Sequence, residues 1–399
     1  MIPTVFDGHS SWGRGGLVRS WVLILLAVSI SWAGALAGED EDIDIYASAE
    51  YTYDDNVDLV ETNEDSDSIL SFIAGFDLMK GSRSQKLLLS YQFRYRDYSD
   101  RTEYDQPEHV FYAAYKLKSQ RWQLSVEDRL LRTEDPEGFE FTARQKRVLN
   151  DAKLSFRMQI AREGYVTLGY ENTMRDYRQS AWDHLSGAEN AGSAEVAIPI
   201  TESGRTQAFA SVTFGKYRFD EDVLNGYSYV RGVAGLRGEP GAKLAFEVGV
   251  GVSDLDDFED NLVVVDDDEA TELCIFARAT WRLKPERTRL ELTLSRDDQP
   301  STTSNYQVVT AGTLHLVHKF TDRISADAGL SVEDGDRSKG DDYGLSKAWA
   351  GLRHGLGRMR EGNYQGDLYL RYEHAARDSS GTGTEYDSNR ISVGYTYRF

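Results

Sequence analysis

The side chains that could support catalysis or metal binding are few and widely spaced in this sequence. Seven histidines occur in 399 residues, and His315 and His318 are three positions apart in a stretch that alternates like a β-strand. This spacing points the two rings to opposite faces of a strand, so they cannot share a metal ion. No nucleotide-binding, zinc-protease or esterase motif is present. The sequence therefore predicts no enzyme, no bound metal and no cofactor.

An acidic run and a lone cysteine are the remaining candidates for chemistry. The run from Asp254 to Glu269 offers many carboxylates for calcium, but it lacks the glycine and the spacing of an EF-hand loop. A solvated surface loop is the simpler interpretation, and calcium binding stays open. Cys274 is the only cysteine, which excludes an internal disulfide and a cysteine-rich metal cluster. We interpret it as a small residue on the polar side of a strand.

Charge and composition exclude two large classes of protein. The formal net charge is −21, which argues against a nucleic-acid partner, because such proteins carry clustered Lys and Arg. The mean hydropathy is −0.52, and no stretch reaches the roughly 20 apolar residues of a transmembrane helix. Tyrosine is frequent, at 23 residues, and proline is rare, at seven. This balance favours long uninterrupted strands.

The N-terminus has the pattern of a secretory signal peptide. Arg14 and Arg19 precede an apolar segment, Trp21 to Trp32, and the triplet Ala35-Leu36-Ala37 follows as a cleavage site. We expect residues 1–37 to be removed. Residues 38–399 would then form a single domain that functions outside the cytoplasm.

From Ile43 onward, apolar residues recur at every second position, which is the pattern of a strand with one apolar and one polar face. Most runs span 10–14 residues, whereas ordinary strands average about five or six and a membrane-crossing strand needs about 9–11. We predict eighteen strands, with cores near 43–53, 70–78, 87–95, 108–118, 122–132, 146–160, 165–174, 188–200, 206–217, 227–237, 243–253, 272–283, 288–296, 306–320, 324–333, 343–355, 363–373 and 387–399.

The connections alternate between short turns and longer acidic loops. This alternation is typical of an all-β, transmembrane antiparallel β-barrel of the bacterial outer membrane. An even number of strands places both termini on the short-turn, periplasmic side. Outer-membrane lipid and lipopolysaccharide are the expected surroundings. The longest connection, residues 254–271, is the expected candidate for a loop that constricts the pore.

The polar strand faces are predicted to line an aqueous lumen, since barrels of this size leave a channel. Both signs of charge are interspersed, which does not indicate strong ion selectivity. These charges either only solvate the wall or serve passage of a polar solute. Tyr46, Tyr112, Phe276 and Tyr369 are too few inward aromatics to indicate a path for sugars. The predicted lumen-lining residues are Arg94, Arg96, Glu127, Arg129, Lys153, Arg157, Arg278, Arg282, Arg289, Glu291, Asp367 and Arg371.

The last strand ends the chain on an apolar stripe. Ile391, Val393, Tyr395, Tyr397 and Phe399 alternate strictly up to the final residue. This stripe resembles the assembly signal of bacterial outer-membrane proteins, and the resemblance implies the barrel-insertion machinery as a partner.

The opening strand runs into a short polar motif, Tyr53-Asp54-Asp55-Asn56. Together with the Tyr-Arg-Phe end, it resembles the β-barrel porin 2 family of outer-membrane proteins. Many members of that family resemble components of exopolysaccharide loci. The resemblance implies a conduit that exports a polysaccharide with a periplasmic polysaccharide-export protein as partner.

Three functions remain open from the sequence. A polysaccharide conduit is the first, and it predicts a wide, non-selective lumen. A general or substrate-specific diffusion porin for small hydrophilic solutes is the second, and it predicts a loop folded into the pore. A structural or surface-binding barrel with a blocked pore is the third, and it predicts no conductance.

Overall fold

A computed structural model describes residues 40–135, 144–161, 163–220, 226–256, 270–284, 287–301, 306–337, 342–360, 363–380 and 385–399. Nearly all of them lie in one antiparallel sheet of eighteen strands. The strands are β1 (Asp40–Asp54), β2 (Asp67–Gly81), β3 (Gln85–Tyr98), β4 (Gln106–Lys118), β5 (Trp122–Thr133), β6 (Arg147–Ala161), β7 (Gly164–Tyr177), β8 (Gly187–Pro199), β9 (Thr206–Phe219), β10 (Tyr227–Gly241), β11 (Leu244–Asp256), β12 (Ala270–Lys284), β13 (Thr288–Pro300), β14 (Tyr306–Lys319), β15 (Ile324–Arg337), β16 (Tyr343–Arg360), β17 (Asn363–Ser379) and β18 (Tyr386–Arg398).

The sheet closes on itself. Each strand pairs with its neighbours in the chain, and β1 also pairs with β18, with Tyr46 opposite Arg398 and Asp54 opposite Arg390. Closure leaves no strand edge with unpaired backbone groups, which is a condition for crossing a lipid bilayer with strands. The prediction of an eighteen-stranded antiparallel barrel is confirmed. Among the described residues, no helix is both long and apolar enough to cross a bilayer.

The outer surface of the barrel is apolar. Ile43, Phe72, Leu168, Phe214 and Val250 illustrate a set of large apolar side chains that are 53, 50, 53, 59 and 55% exposed. They alternate along each strand with polar residues, so the register that exposes one set to lipid turns the other set inward. A closed barrel with an apolar outside and a polar inside is an outer-membrane barrel. The protein therefore resides in the bacterial outer membrane.

The two rims of the barrel differ. Eight connections of two to six residues form the rim that also holds both ends of the barrel. Nine connections of five to thirteen residues join the strand ends of the other rim, and two of them contain a 3-10 turn, at 102–104 and 183–185. The nine long connections contain 26 acidic and five basic residues, and thus a net charge of −21. The acidity of the whole chain is therefore concentrated at the long-loop rim.

Inward-facing aromatic rings lie flat along the wall over glycines of the neighbouring strand. A Cβ added to Gly215 would lie 2.2 Å from the ring of Tyr229, and one added to Gly329 would lie 2.1 Å from Trp349. The same arrangement joins Gly75 to Tyr46, Gly249 to Phe276 and Gly394 to Tyr369. Since only glycine leaves room for a ring there, these pairs keep bulky side chains out of the lumen centre.

Two predicted features lie outside the described residues. One is the signal peptide with its cleavage site, residues 1–37, and the other is most of the acidic run, residues 257–269. The signal peptide stays a prediction. Whether loop 254–271 constricts the pore likewise stays untested.

Candidate functional site: the lumen and its long-loop mouth

All twelve residues that the sequence predicts to line the lumen lie on the inward face in the strand register. Glu127 of β5 stands opposite Lys153 of β6, which stands opposite Glu171 of β7. The Lys153 ammonium lies 2.5 Å from the Glu171 carboxylate. A role of these residues in solute passage remains a prediction. The twelve are Arg94, Arg96, Glu127, Arg129, Lys153, Arg157, Arg278, Arg282, Arg289, Glu291, Asp367 and Arg371.

The structure brings some of the twelve into ion pairs and leaves others apart. Arg289 lies 3.1 Å from Glu291, Arg278 lies 3.9 Å from Glu247, and Asp367 pairs with Arg398. These pairs lie along the wall, within one strand or between neighbouring strands, rather than across the lumen. Within the described ranges, Arg129, Arg157 and Arg282 form no ion pair. Because water-exposed pairs contribute little stability, the wall charges chiefly keep the lumen hydrated.

The connection between β1 and β2 folds into the barrel mouth. Val57 and Leu59 are 2 and 6% exposed although they lie in an otherwise acidic loop. Leu59 packs against Leu345, Tyr386 and Ala375, which are inward-facing residues of β16, β18 and β17. Its backbone has a φ of 53°, a left-handed conformation that costs a leucine energy and that the packing must offset.

The polar motif before this loop anchors it to the seam between β1 and β18. The buried Asp54 carboxylate accepts hydrogen bonds from the Asn56 amide (3.1 Å), the Ser388 hydroxyl (3.0 Å) and Arg390 Nε (2.7 Å). Asp55 accepts from the backbone and side chain of Asn389, at 2.6 and 2.8 Å. The Asn56 side chain donates to the carbonyls of Val60 and Asp387, at 2.7 and 2.8 Å. The motif that carries the family resemblance therefore has a structural role here.

A neighbouring loop fastens the same segment from the other side. Arg101, between β3 and β4, pairs with Asp58 at 2.5 Å and with Asp65. The Tyr104 hydroxyl donates to Asp58 at 2.5 Å. Burial, with this hydrogen bond, raises the pKa of Tyr104 to about 12. Tyr104 therefore stays a neutral donor at physiological pH. The two loops form one connected structure at the mouth.

A polar cavity of about 460 Å³ lies beneath the inward loop, between β1–β3 and β16–β18. We call this part of the mouth the charged side. Six cationic and four acidic side chains line the cavity, together with several hydroxyl groups. The cations are Arg94, Arg96, Arg144, Lys347, Arg371 and Arg390, and the acids are Glu50, Asp54, Asp135 and Glu373.

The opposite part of the mouth, formed by β9–β12, is filled by aromatic rings, and we call it the aromatic side. Tyr217, Tyr227, Tyr229 and Leu255 form a cluster in which each residue is at most 6% exposed. The Tyr229 hydroxyl donates to Glu189 at 2.5 Å. The four inward aromatics named from the sequence did not include these tyrosines. Alternation identifies inward positions, but it does not reveal which rings meet where neighbouring strands end.

Cys274, Asp297 and Asp298 are close enough for their ligand atoms to bind one metal ion, all within 4.8 Å. However, the Arg231 guanidinium lies between the carboxylates, at 3.0 Å from Asp297 and 2.8 Å from Asp298. The Cys274 thiol donates to both carboxylates at 3.6 and 3.8 Å. Because the guanidinium already occupies the space between the two acids, this group serves as an ion-pair network beside the aromatic side.

The predicted assembly stripe lies on the lipid face of β18. Ile391, Val393, Tyr395 and Phe399 are 50, 43, 40 and 68% exposed, and Tyr397 shares their face. The backbone amide of Phe399 donates to the carbonyl of Ile45 at 2.9 Å, so the last residue takes part in barrel closure. Recognition by the insertion machinery stays a prediction.

The inward loop is the site feature that the sequence analysis missed. From the sequence we expected residues 254–271 to form the constriction, because they are the longest connection. The sequence contained one signal for this inward loop. Val57 and Leu59 are apolar residues in an acidic connection outside the lipid bilayer. Such residues need another apolar surface, and inside a barrel that surface is the wall.

This chain is similar to known proteins in structure but not in sequence. No family model matches this chain, and no curated protein matches it. The crystal structure of OccK2 (OpdF) from Pseudomonas aeruginosa has 12% identity and a TM-score of 0.49, over 90% of this chain and 98% of that chain. OccAB4 from Acinetobacter baumannii has 10% identity and a TM-score of 0.47, over 91% and 99%. The outer membrane protein opdK from Pseudomonas aeruginosa has 12% identity and a TM-score of 0.47, over 90% and 99%.

Proposed function

We propose that this protein is a passive outer-membrane channel for small hydrophilic solutes. The observation that carries the proposal is the loop between β1 and β2, whose Val57 and Leu59 are buried within the mouth rather than extended into solvent. A barrel of eighteen strands would otherwise leave a wide aqueous opening. An inward loop reduces the opening, and pore diameter then decides which solutes pass.

The wall supports the same proposal. Charged side chains line the lumen along its length, and many lie in ion pairs within one strand or between neighbouring strands. Such a wall stays hydrated, while the rings that lie over glycines do not project into the passage. The pore thus has a wet interior and a narrowed long-loop mouth.

Polysaccharide export was the first expectation from the sequence, with a wide and non-selective lumen. The inward loop and the aromatic cluster support the diffusion channel instead, because both occupy space that a hydrated sugar chain would need. Resemblance to the β-barrel porin 2 family remains a sequence-based expectation, as does a periplasmic polysaccharide-export partner.

Swelling of proteoliposomes tests the proposal. We expect arabinose to cause rapid swelling and the trisaccharide raffinose to cause swelling at least about tenfold slower, because a narrowed pore discriminates by size. Liposomes without protein are the control. Equal rates for both sugars, with loss of surface polysaccharide in a gene-deletion strain, would identify an export conduit. No swelling with either sugar would identify a closed barrel.

A further inference from the structure

The cavity on the charged side has more hydrogen-bond donors than its own acceptors occupy. Each of its four carboxylates already has a partner within the chain. Asp54 is paired with Arg390, Asp135 with Arg96 at 2.6 Å, and Glu373 with Arg371 at 2.9 Å. Glu50 accepts a hydrogen bond from the Tyr369 hydroxyl.

Two donors, in contrast, are not occupied. Among the described residues, Lys347 forms no ion pair or hydrogen bond, although it lines the cavity and is partly buried. The Nε atom of Arg94 is buried without an acceptor, and the ion pair of this residue with Glu108 is long, at 3.7 Å. A buried donor without a partner costs free energy that a bound acceptor would recover.

The remaining lining fits a hydroxylated ligand. The hydroxyls of Thr52, Ser388 and Ser392 and the rings of Tyr98 and Tyr386 face the cavity. Small polar pockets commonly use a few such groups to orient a ligand. A volume of about 460 Å³ is sufficient for a solute the size of a monosaccharide.

We propose that this cavity is a binding subsite for a small hydroxylated carboxylate, held by Lys347 and Arg94. The carboxylate of the ligand accepts hydrogen bonds from the unoccupied donors of Lys347 and Arg94, because hydrogen bonds between charged groups are stronger than those between neutral ones. The inference rests on the proposed channel function and adds a class of solute to it.

Calorimetry on the purified barrel in detergent tests binding independently of passage. The probe is potassium gluconate, and the matched neutral control is sorbitol, which has a CH₂OH group in place of the carboxylate. We expect measurable binding of gluconate and at least tenfold weaker binding of sorbitol. Lys347→Gln should weaken gluconate binding at least tenfold. Lys116→Gln, which removes an exposed lysine near the short-turn rim, should leave it unchanged.

The outcomes separate the two proposals. Equal binding of gluconate and sorbitol, or no binding of either, overturns the subsite whether or not the channel conducts. An equal loss in Lys347→Gln and Lys116→Gln overturns it as well, because the attraction would then be a general effect of charge. If gluconate binds as expected but proteoliposomes do not swell, the subsite stands and the channel function fails.

Discussion

The charged side and the aromatic side are two parts of one mouth, and they differ in what occupies the space inside the strand ends. On the aromatic side, Tyr227 and Leu255 are 2 and 0% exposed, and ring packing fills the space between strand ends. On the charged side, ion pairs and hydroxyls surround a cavity. Apolar rings gain free energy by excluding water, whereas charged groups that remain hydrated leave room for it. We infer that solutes pass along the charged side.

Tyr227→Ala is expected to have the largest effect, because it removes a fully buried ring from the aromatic side. Truncation of a buried aromatic residue costs about 4 kcal/mol. Urea unfolding followed by tryptophan fluorescence would measure the loss, with Tyr227→Phe as a control that keeps the ring and loses much less. Gluconate affinity should stay at the wild-type value. A weakened affinity would contradict the division of the mouth into two independent sides.

Asp54→Ala is expected to have the next largest effect, this time on the charged side. It leaves Arg390, Ser388 and the Asn56 amide without their shared acceptor, which costs about 3 kcal/mol. The released β1–β2 loop should also increase conductance. Asp387→Ala is the matched control, because that carboxylate is 62% exposed and at the same seam. If both variants lose the same stability, the anchoring role of Asp54 is wrong.

Arg101→Gln is expected to have the smallest effect. Arg101 is 34% exposed and Asp65 is 57% exposed, whereas Asp58 is 16% exposed, so salt weakens these pairs. We expect current fluctuations to increase about twofold in 0.1 M KCl and to match wild type in 1 M KCl. Arg83→Gln, at the opposite rim, is the control for a general charge effect. Fluctuations that persist in 1 M KCl would show that Arg101 acts through something other than these pairs.

The barrel could be predicted from the sequence because lipid imposes the same alternation on every strand. Leu168, Leu314 and Leu370 face lipid for the same local reason, so a period of two is sufficient to find their strands and the inward face. The mouth follows no such rule. The Asn56 side chain contacts Asp387, 331 positions away, and nothing local marks that pairing. Likewise, Tyr227 and Tyr170 both lie in strands whose residues alternate between two faces, but Tyr227 is buried in the mouth and Tyr170 faces lipid.

The central claim is that an inward loop narrows a conducting pore, and single-channel conductance tests it most directly. Wild-type protein in planar bilayers should give small, well-defined steps in KCl. A variant in which residues 57–60 are replaced by glycine and serine should give steps at least about twice as large, because the packing of Leu59 on the wall is lost. Equal conductance in the two proteins, or no conductance in either, would contradict the account.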